Sequence, residues 1–274
     1  HLIVVAYEPK SANIFPNTDI KGGLAITLRD TDMDFGAIEQ FVPYSEVKSI
    51  IERVRSRTDF VSLSTIVAPR GQYRFSELFF EENPSAKKMI GVGTGNMVAS
   101  NAFEKLAFAF LTDDTKRKPY LRILGRKQAK RVYKLILRGY LIPNNCIDTF
   151  NLAITEANGS GDFGERLTET VVLNPGEICT DTFISIGAFS DKSQAQNLAK
   201  YLKTKFARAL LSVRKVTQHN PNSVWAEIPL QDFTSASDVE WSASVEGIDK
   251  QLYLKYELSQ AEQEFISNNV QVMN

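Results

Sequence analysis

The sequence predicts an α+β fold with a mixed sheet, and three observations carry that prediction. Apolar runs rich in β-branched residues recur at 2–6, 22–28, 61–67, 121–124, 152–155 and 182–186, separated by loops that Gly, Pro and Asn mark. Ala195, Leu198, Leu202, Phe206, Ala209, Leu210 and Val213 then recur at spacings of three and four, the period of a helix with one apolar face. No period of 20 to 50 residues repeats, which removes solenoids and propellers.

Taken in order, the runs at 2–6 and 22–28 are apolar on consecutive positions. That pattern suits strands buried on both faces, so they are expected to belong to a larger sheet whose other strands are not in this chain. Val47, Ile50, Ile51 and Val54 predict a short amphipathic helix over 44–54, with Ser45 as its cap. The run at 61–67 reads as a strand ending at the turn Pro69-Arg70-Gly71, and Gly91, Gly93 and Gly95 mark a loop. After the strand at 121–124, residues 128–137 read as a basic helix whose apolar face holds Val132, Leu135 and Ile136. Gly159, Gly161 and Gly164 break the chain between the strands at 152–155 and 182–186. A long helix over 192–213 opens at Asp191 with Gln194 three residues on; helices over 249–256 and 260–267 close the chain, the last begun by Ser259 with Glu262.

The chain has 274 residues, 43% hydrophobic and 23% charged, ordinary values for a globular protein of one large domain or two modest ones. Its formal charge is zero, but the charge is segregated. Ten basic residues and no acid lie between Lys116 and Arg138, seven and no acid between Lys192 and Ala226, and nine carboxylates against two lysines between Glu227 and Glu264. Cys146 and Cys179 lack CxxC spacing, which argues against a disulfide framework or a cysteine zinc site and for a reducing, cytoplasmic setting. No apolar run approaches the roughly 20 residues of a membrane span, and no basic-then-apolar stretch ending in small residues reads as a leader. Opening on His1 in what reads as a strand already in progress, the chain resembles a piece of a longer one.

Enzyme motifs are sparse. Gly91-Val-Gly93-Thr-Gly95-Asn96 lacks the lysine a phosphate loop needs and the lead-in strand of a dinucleotide fingerprint. Asp30, Asp32 or Asp34 followed by Glu46-Val47-Lys48 has the letters of a metal-dependent nuclease, a rival reading in which Lys48 polarises the attacking water, but those letters fall on a predicted helix face. His1 and His219 are the only histidines, and there is no Gly-x-Ser-x-Gly elbow.

The basic residues carry more. Lys127, Lys130, Arg131, Lys134 and Arg138 form a ridge that no acid interrupts, whereas an ordinary surface helix intersperses Glu; this favours phosphate contact. In Arg214-Lys215-Val216-Thr217-Gln218-His219-Asn220 two readings stay open: cations complementing a helix C-terminus, or a DNA-facing edge where Gln and Asn pair with adenine, Arg with guanine and Lys with phosphate. Arg70, Tyr73 and Arg74 at the earlier turn join the candidates.

Several strings in one order, Asn17-Thr-Asp-Ile-Lys-Gly-Gly23, Lys203-Thr-Lys-Phe-Ala-Arg208, Val216-Thr-Gln-His219 and Pro229-Leu-Gln-Asp-Phe233, resemble the C-terminal half of bacterial type II restriction–modification proteins with an adenine-specific methylase domain. Gly93-Thr-Gly-Asn96, Glu156-Ala-Asn-Gly-Ser-Gly161 and Thr180-Asp-Thr-Phe183 are similar to that family's TaqI-like specificity region. The resemblance implies that 1–40 ends a Rossmann-like methyltransferase domain, that 41–230 is a DNA target-recognition domain, and that 231–274 is a helical extension. It implies double-stranded DNA and the methyltransferase domain of the same polypeptide as partners. S-adenosylmethionine would be the parent's cofactor, with magnesium where a nuclease domain is attached, and this fragment would hold neither. The Asn-Pro-Pro-Tyr or Asn-Pro-Pro-Phe tetrapeptide that grips the flipped adenine in that family is not in this sequence, so the expected role is choice of sequence and not catalysis. A protein-interaction module docking an acidic partner is the second rival.

Overall fold

A computed structural model describes the chain except residues 19, 21, 38–40, 92, 113–118, 129 and 274. The opening of the basic run at 116–118, and two residues of the Asn17–Gly23 string, lie outside the described residues.

In chain order the described elements are β1 (Leu2–Glu8), β2 (Leu24–Arg29), α1 (Ser45–Ser56), α2 (Glu77–Glu82), α3 (Ala86–Met89), α4 (Ala102–Lys105), β3 (Phe110–Thr112), β4 (Tyr120–Lys127), β5 (Lys130–Leu137), β6 (Phe150–Thr155), β7 (Val171–Leu173), β8 (Glu177–Cys179), β9 (Phe183–Phe189), α5 (Lys192–Lys203), α6 (Lys205–Arg214), α7 (Val245–Lys255) and α8 (Gln260–Asn269). The strands make three sheets: an antiparallel ribbon β1-β2, a four-stranded sheet in the order β3-β5-β4-β8, and an antiparallel sheet β7-β6-β9. Only β4 and β8 pair in parallel, so the second sheet is mixed.

The three-stranded sheet lies between two apolar cores. Leu152, Ile154, Ile184 and Ile186 join α1, α5, α6, α7 and α8 in the first, around Trp225, Tyr201 and Phe206. Ala153, Leu173 and Phe183 join Phe75, Phe79, Phe103, Ile123 and Ile136 in the second. Successive strand side chains point to opposite faces, so neighbours on β6 serve different cores. Trp241, Ile248, Leu252 and Ile266 share the first core with Val47 and Ile50 of α1, and Arg53 reaches the Glu262 carboxylate at 2.7 Å. The expected boundary between 230 and 231 therefore falls inside one continuous core.

Helix α1 buries the four residues its spacing predicts, and Ser259 with Glu262 forms a full capping box on α8. Four expectations are corrected. First, residues 130–137 form β5, not a helix, because Val132, Tyr133 and Ile136 are strand formers and every residue from Lys130 to Leu137 pairs with β4. Second, the strand expected at 61–67 is mainly a 3-10 turn over Leu63–Ile66, since the Ser62 hydroxyl accepts the Ser64 N–H and offers the backbone an alternative to a ladder. Third, the long helix is interrupted at Thr204, whose ψ of 147° is extended and whose hydroxyl accepts the Ala207 N–H. The Asp249 carboxylate completes that break by accepting from the N–H groups of Lys205 and Phe206, both at 2.9 Å. The three-and-four spacing runs through the break because both halves face the same core. Fourth, β1 and β2 pair with each other but are not buried: Val5 and Ile26 are each 56% exposed. No described helix is long and apolar enough to cross a membrane.

Two predictions follow from this packing. Leu252→Ala should lower the urea midpoint of a single cooperative transition by the equivalent of about 2–5 kcal/mol, as deletion of a buried Leu does. A separate transition for the last helices would contradict the shared core. Burial also pushes the Asp249 carboxyl up from 3.8 to about 6, against the pull of the two N–H groups and Arg208. Its folded value lies above its unfolded one, so its contribution to stability is full below pH 3.8 and is lost as pH rises through 6. Stability measured between those limits should fall less steeply in Asp249→Asn than in the parent chain.

Candidate nucleic-acid interface

The β4–β5 ribbon leaves the second core at Gly125, which packs so closely on the Phe103 ring and Thr180 that no Cβ fits there. Beyond it the register places Arg126 opposite Arg131 and Lys127 opposite Lys130, all four exposed. Like charges directly opposite one another weaken a strand pair, and two such rungs stand in succession here. Arg131 is steadied by donating to the Glu169 carbonyl at 2.6 Å and by lying 5.7 Å from the centre of the Phe183 ring.

The turn at 180–183 ties this tip to two other basic loops. The Thr180 N–H donates to the Leu124 carbonyl of β4, and the Asp181 N–H to Val98. The nearly buried Asp181 carboxylate accepts from Arg70 at 3.1 Å, while Arg70 itself stays 54% exposed. The Glu156 N–H donates to the Thr182 carbonyl, and the Glu156 carboxylate lies 3.1 Å from Nδ1 of His219, which is 49% exposed. Arg70, the hairpin tip and His219 thus stand around one turn at the end of β6 and β9.

The remaining candidates are placed differently, and four of them, Lys215, Asn220, Tyr73 and Arg214, are engaged inside the protein. Lys215 is 2% exposed; its ammonium donates to the Glu165 carboxylate and to the carbonyls of Asn158 and Thr217, which uses all three of its protons. Glu165 in turn accepts the N–H groups of Ser160 and Gly161, so the pair shapes the glycine-rich loop and faces no partner. Asn220 is fully buried and donates to the Thr155 carbonyl and to the Asn158 side chain. Tyr73 is buried in the second core, and desolvation holds its hydroxyl far above the usual range. Arg214 shares the buried Glu227 carboxylate with Arg55. Arg74 is half-buried and donates to the Gly95 carbonyl; Lys134 is half-buried with its ammonium 5.9 Å from the Phe103 ring centre. Gln218 remains exposed, with its carbonyl accepting from the Asn158 N–H. Sequence reasoning did not single out Arg126 and Gln128, which the pairing of β4 with β5 brings to the tip.

The nuclease letters are not brought together. Lys48 pairs with Glu52 on the exposed face of α1, Glu46 accepts from the Ser45 hydroxyl, and Asp30 caps the Asp32 N–H. Among the described residues no three His, Cys, Asp or Glu side chains converge. Both cysteines are buried, and burial pushes the Cys179 thiol up to about 12, away from thiolate chemistry. β1 and β2 form an antiparallel ribbon, whereas a Rossmann-type crevice opens at the carboxyl ends of parallel strands. No family model, curated protein or solved structure matches this chain.

Lys215→Met should cost about 3–5 kcal/mol of stability by leaving Glu165 unpaired in a nearly closed site. Lys127→Ala should stay within about 0.5 kcal/mol, as exposed positions do. Denaturant midpoints of the two variants separate a structural lysine from a surface one; equal small shifts would overturn that division.

Proposed function

We propose that this chain is the DNA-recognising part of a bacterial type II restriction–modification enzyme, selecting the duplex sequence on which an adenine-specific methyltransferase domain of the same polypeptide acts in the cytoplasm. The observation that carries the reading is the pair of like-charge rungs at the hairpin tip, Arg126 opposite Arg131 and Lys127 opposite Lys130. An arrangement that opposes folding is retained where a polyanion repays it on binding, and duplex DNA offers one negative charge per roughly 1.7 Å of its axis.

Further support comes from the company this tip keeps. Arg70, Gln218 and His219 stand exposed on the loops around the same turn, so side chains able to hydrogen-bond base edges lie beside cations able to hold phosphates. The zero net charge is compatible with this role, because the charge is segregated: no acid lies between Lys116 and Arg138, while nine carboxylates stand against two lysines between Glu227 and Glu264, where α7 and α8 pack on the first core. Catalysis stays with the partner domain, which in the resemblance supplies S-adenosylmethionine and the pocket for the flipped adenine.

The reading is tested by titrating duplex DNA at salt concentrations from about 50 to 200 mM. Lys127→Ala and Lys130→Ala should each weaken all duplexes alike and reduce the slope of log K against log salt by about 0.9, the loss of one phosphate contact. Lys130→Thr should also raise the denaturant midpoint slightly by removing the repulsion opposite Lys127. Unchanged slopes would take the tip out of the interface.

A further inference from the structure

The register sets Lys127 opposite Lys130 across a two-residue connection, of which Gln128 is the described member. Such links match the twist of a hairpin only when their residues take positive φ, which is why Asn-Gly and Asp-Gly fill them elsewhere. Here the first position is Gln128, with φ 49°. A long unbranched side chain gains nothing locally from that conformation. Its carboxamide is exposed and finds no hydrogen-bond partner among the described residues. Local turn chemistry is thus overruled at the most projecting point of the basic ribbon, and rules of this kind are broken chiefly at functional positions.

We propose that Gln128 is a specificity-determining residue: the β4–β5 tip enters the major groove, and the Gln128 carboxamide reads an adenine there. This rests on the DNA reading above. Glutamine offers one donor and one acceptor side by side, the complement of adenine's N7 and N6 amino group on the major-groove edge. The major groove, about 12 Å wide, admits a two-stranded ribbon; the minor groove, about 6 Å wide, does not. Successive cross-strand pairs face opposite sides of a ribbon, so the Lys127–Lys130 rung projects from one face and the Arg126–Arg131 rung from the other. A ribbon standing in the groove then meets both phosphate backbones with a cationic rung on each side. No aromatic residue stands between Arg126 and Arg131; stacking on single strands requires one, and the tip is suited to a duplex instead.

The test is selection of bound duplexes from a randomised pool by the full 274-residue chain and by Gln128→Ala and Gln128→Gly. The glycine variant relaxes the backbone and should fold at least as stably as the parent chain, which separates base reading from turn formation. We expect the parent chain to enrich one motif and both variants to lose preference at a single A·T pair of it, with a loss of roughly 5- to 150-fold on that duplex and little on others. Placing 7-deazaadenine at that position, which removes the N7 acceptor, should weaken the parent chain and add nothing in Gln128→Ala. If the parent chain enriches a motif that both variants also select, or if the variants weaken every duplex equally, the role of Gln128 is overturned and the DNA reading stands. If the parent chain binds duplexes without preference, or does not bind them, the DNA reading falls and the role of Gln128 with it.

Discussion

Burial of both faces of the small sheet β7-β6-β9 is the constraint on which the other parts depend. Alternate side chains of β6 go to separate cores, Leu152 and Ile154 to the helical one and Ala153 to the one built by the four-stranded sheet. Phe183 to Gly187 of β9 are buried without interruption. With both faces covered, a one-residue slip would exchange the two sets of side chains, so the register is strongly fixed. The turn at 180–183 inherits that rigidity, and through it the hairpin tip, the Arg70 loop and the Glu156–His219 pair hold their places.

The cations of this chain divide into two populations that look alike in sequence. Arg208, Lys215 and the Arg55–Arg214 pair work inward. Arg208 is buried and donates to the carbonyls of Lys203, Glu165 and Gln271, and desolvation lowers its pKa to about 10. Arg55 and Arg214 converge on Glu227, a carboxylate with no exposure of its own. Arg70, Arg126, Lys127, Lys130 and Arg131 work outward. Neighbours such as Lys215 and His219 fall on opposite sides of this division because the chain dives into the core between them only at Lys215.

How much was legible follows from whether the deciding interaction is local. The α+β class, the buried stripe of α1 and the Ser259 capping box could be read because each depends on residues within a turn or two. The strand character of 130–137 could not, since Val132, Leu135 and Ile136 satisfy a helical template as well as a strand and the choice is made by pairing with β4. Nor could the break at Thr204, which an aspartate 45 residues away completes by capping α6. For the candidate site, the acid-free run located the ribbon and the glycines located its neighbouring loops. Which cations face outward depends on carboxylates such as Glu165 and Glu227, whose positions are set only once the chain is packed.

The two cores differ in how much of the chain they wait for. The second draws its buried residues from between Tyr73 and Phe183, whereas α1 in the first closes on α8 through Arg53 and Glu262, 209 residues apart. As the chain leaves the ribosome at about 5–20 residues per second, the second core is complete while the partners of α1 are still unmade. The apolar stripe Val47, Ile50, Ile51 and Val54 then stands uncovered for at least several seconds. Newly made chains therefore pass through a half-assembled stage in which the β4–β5 hairpin is already seated and the helical side is open to chaperones or to other chains.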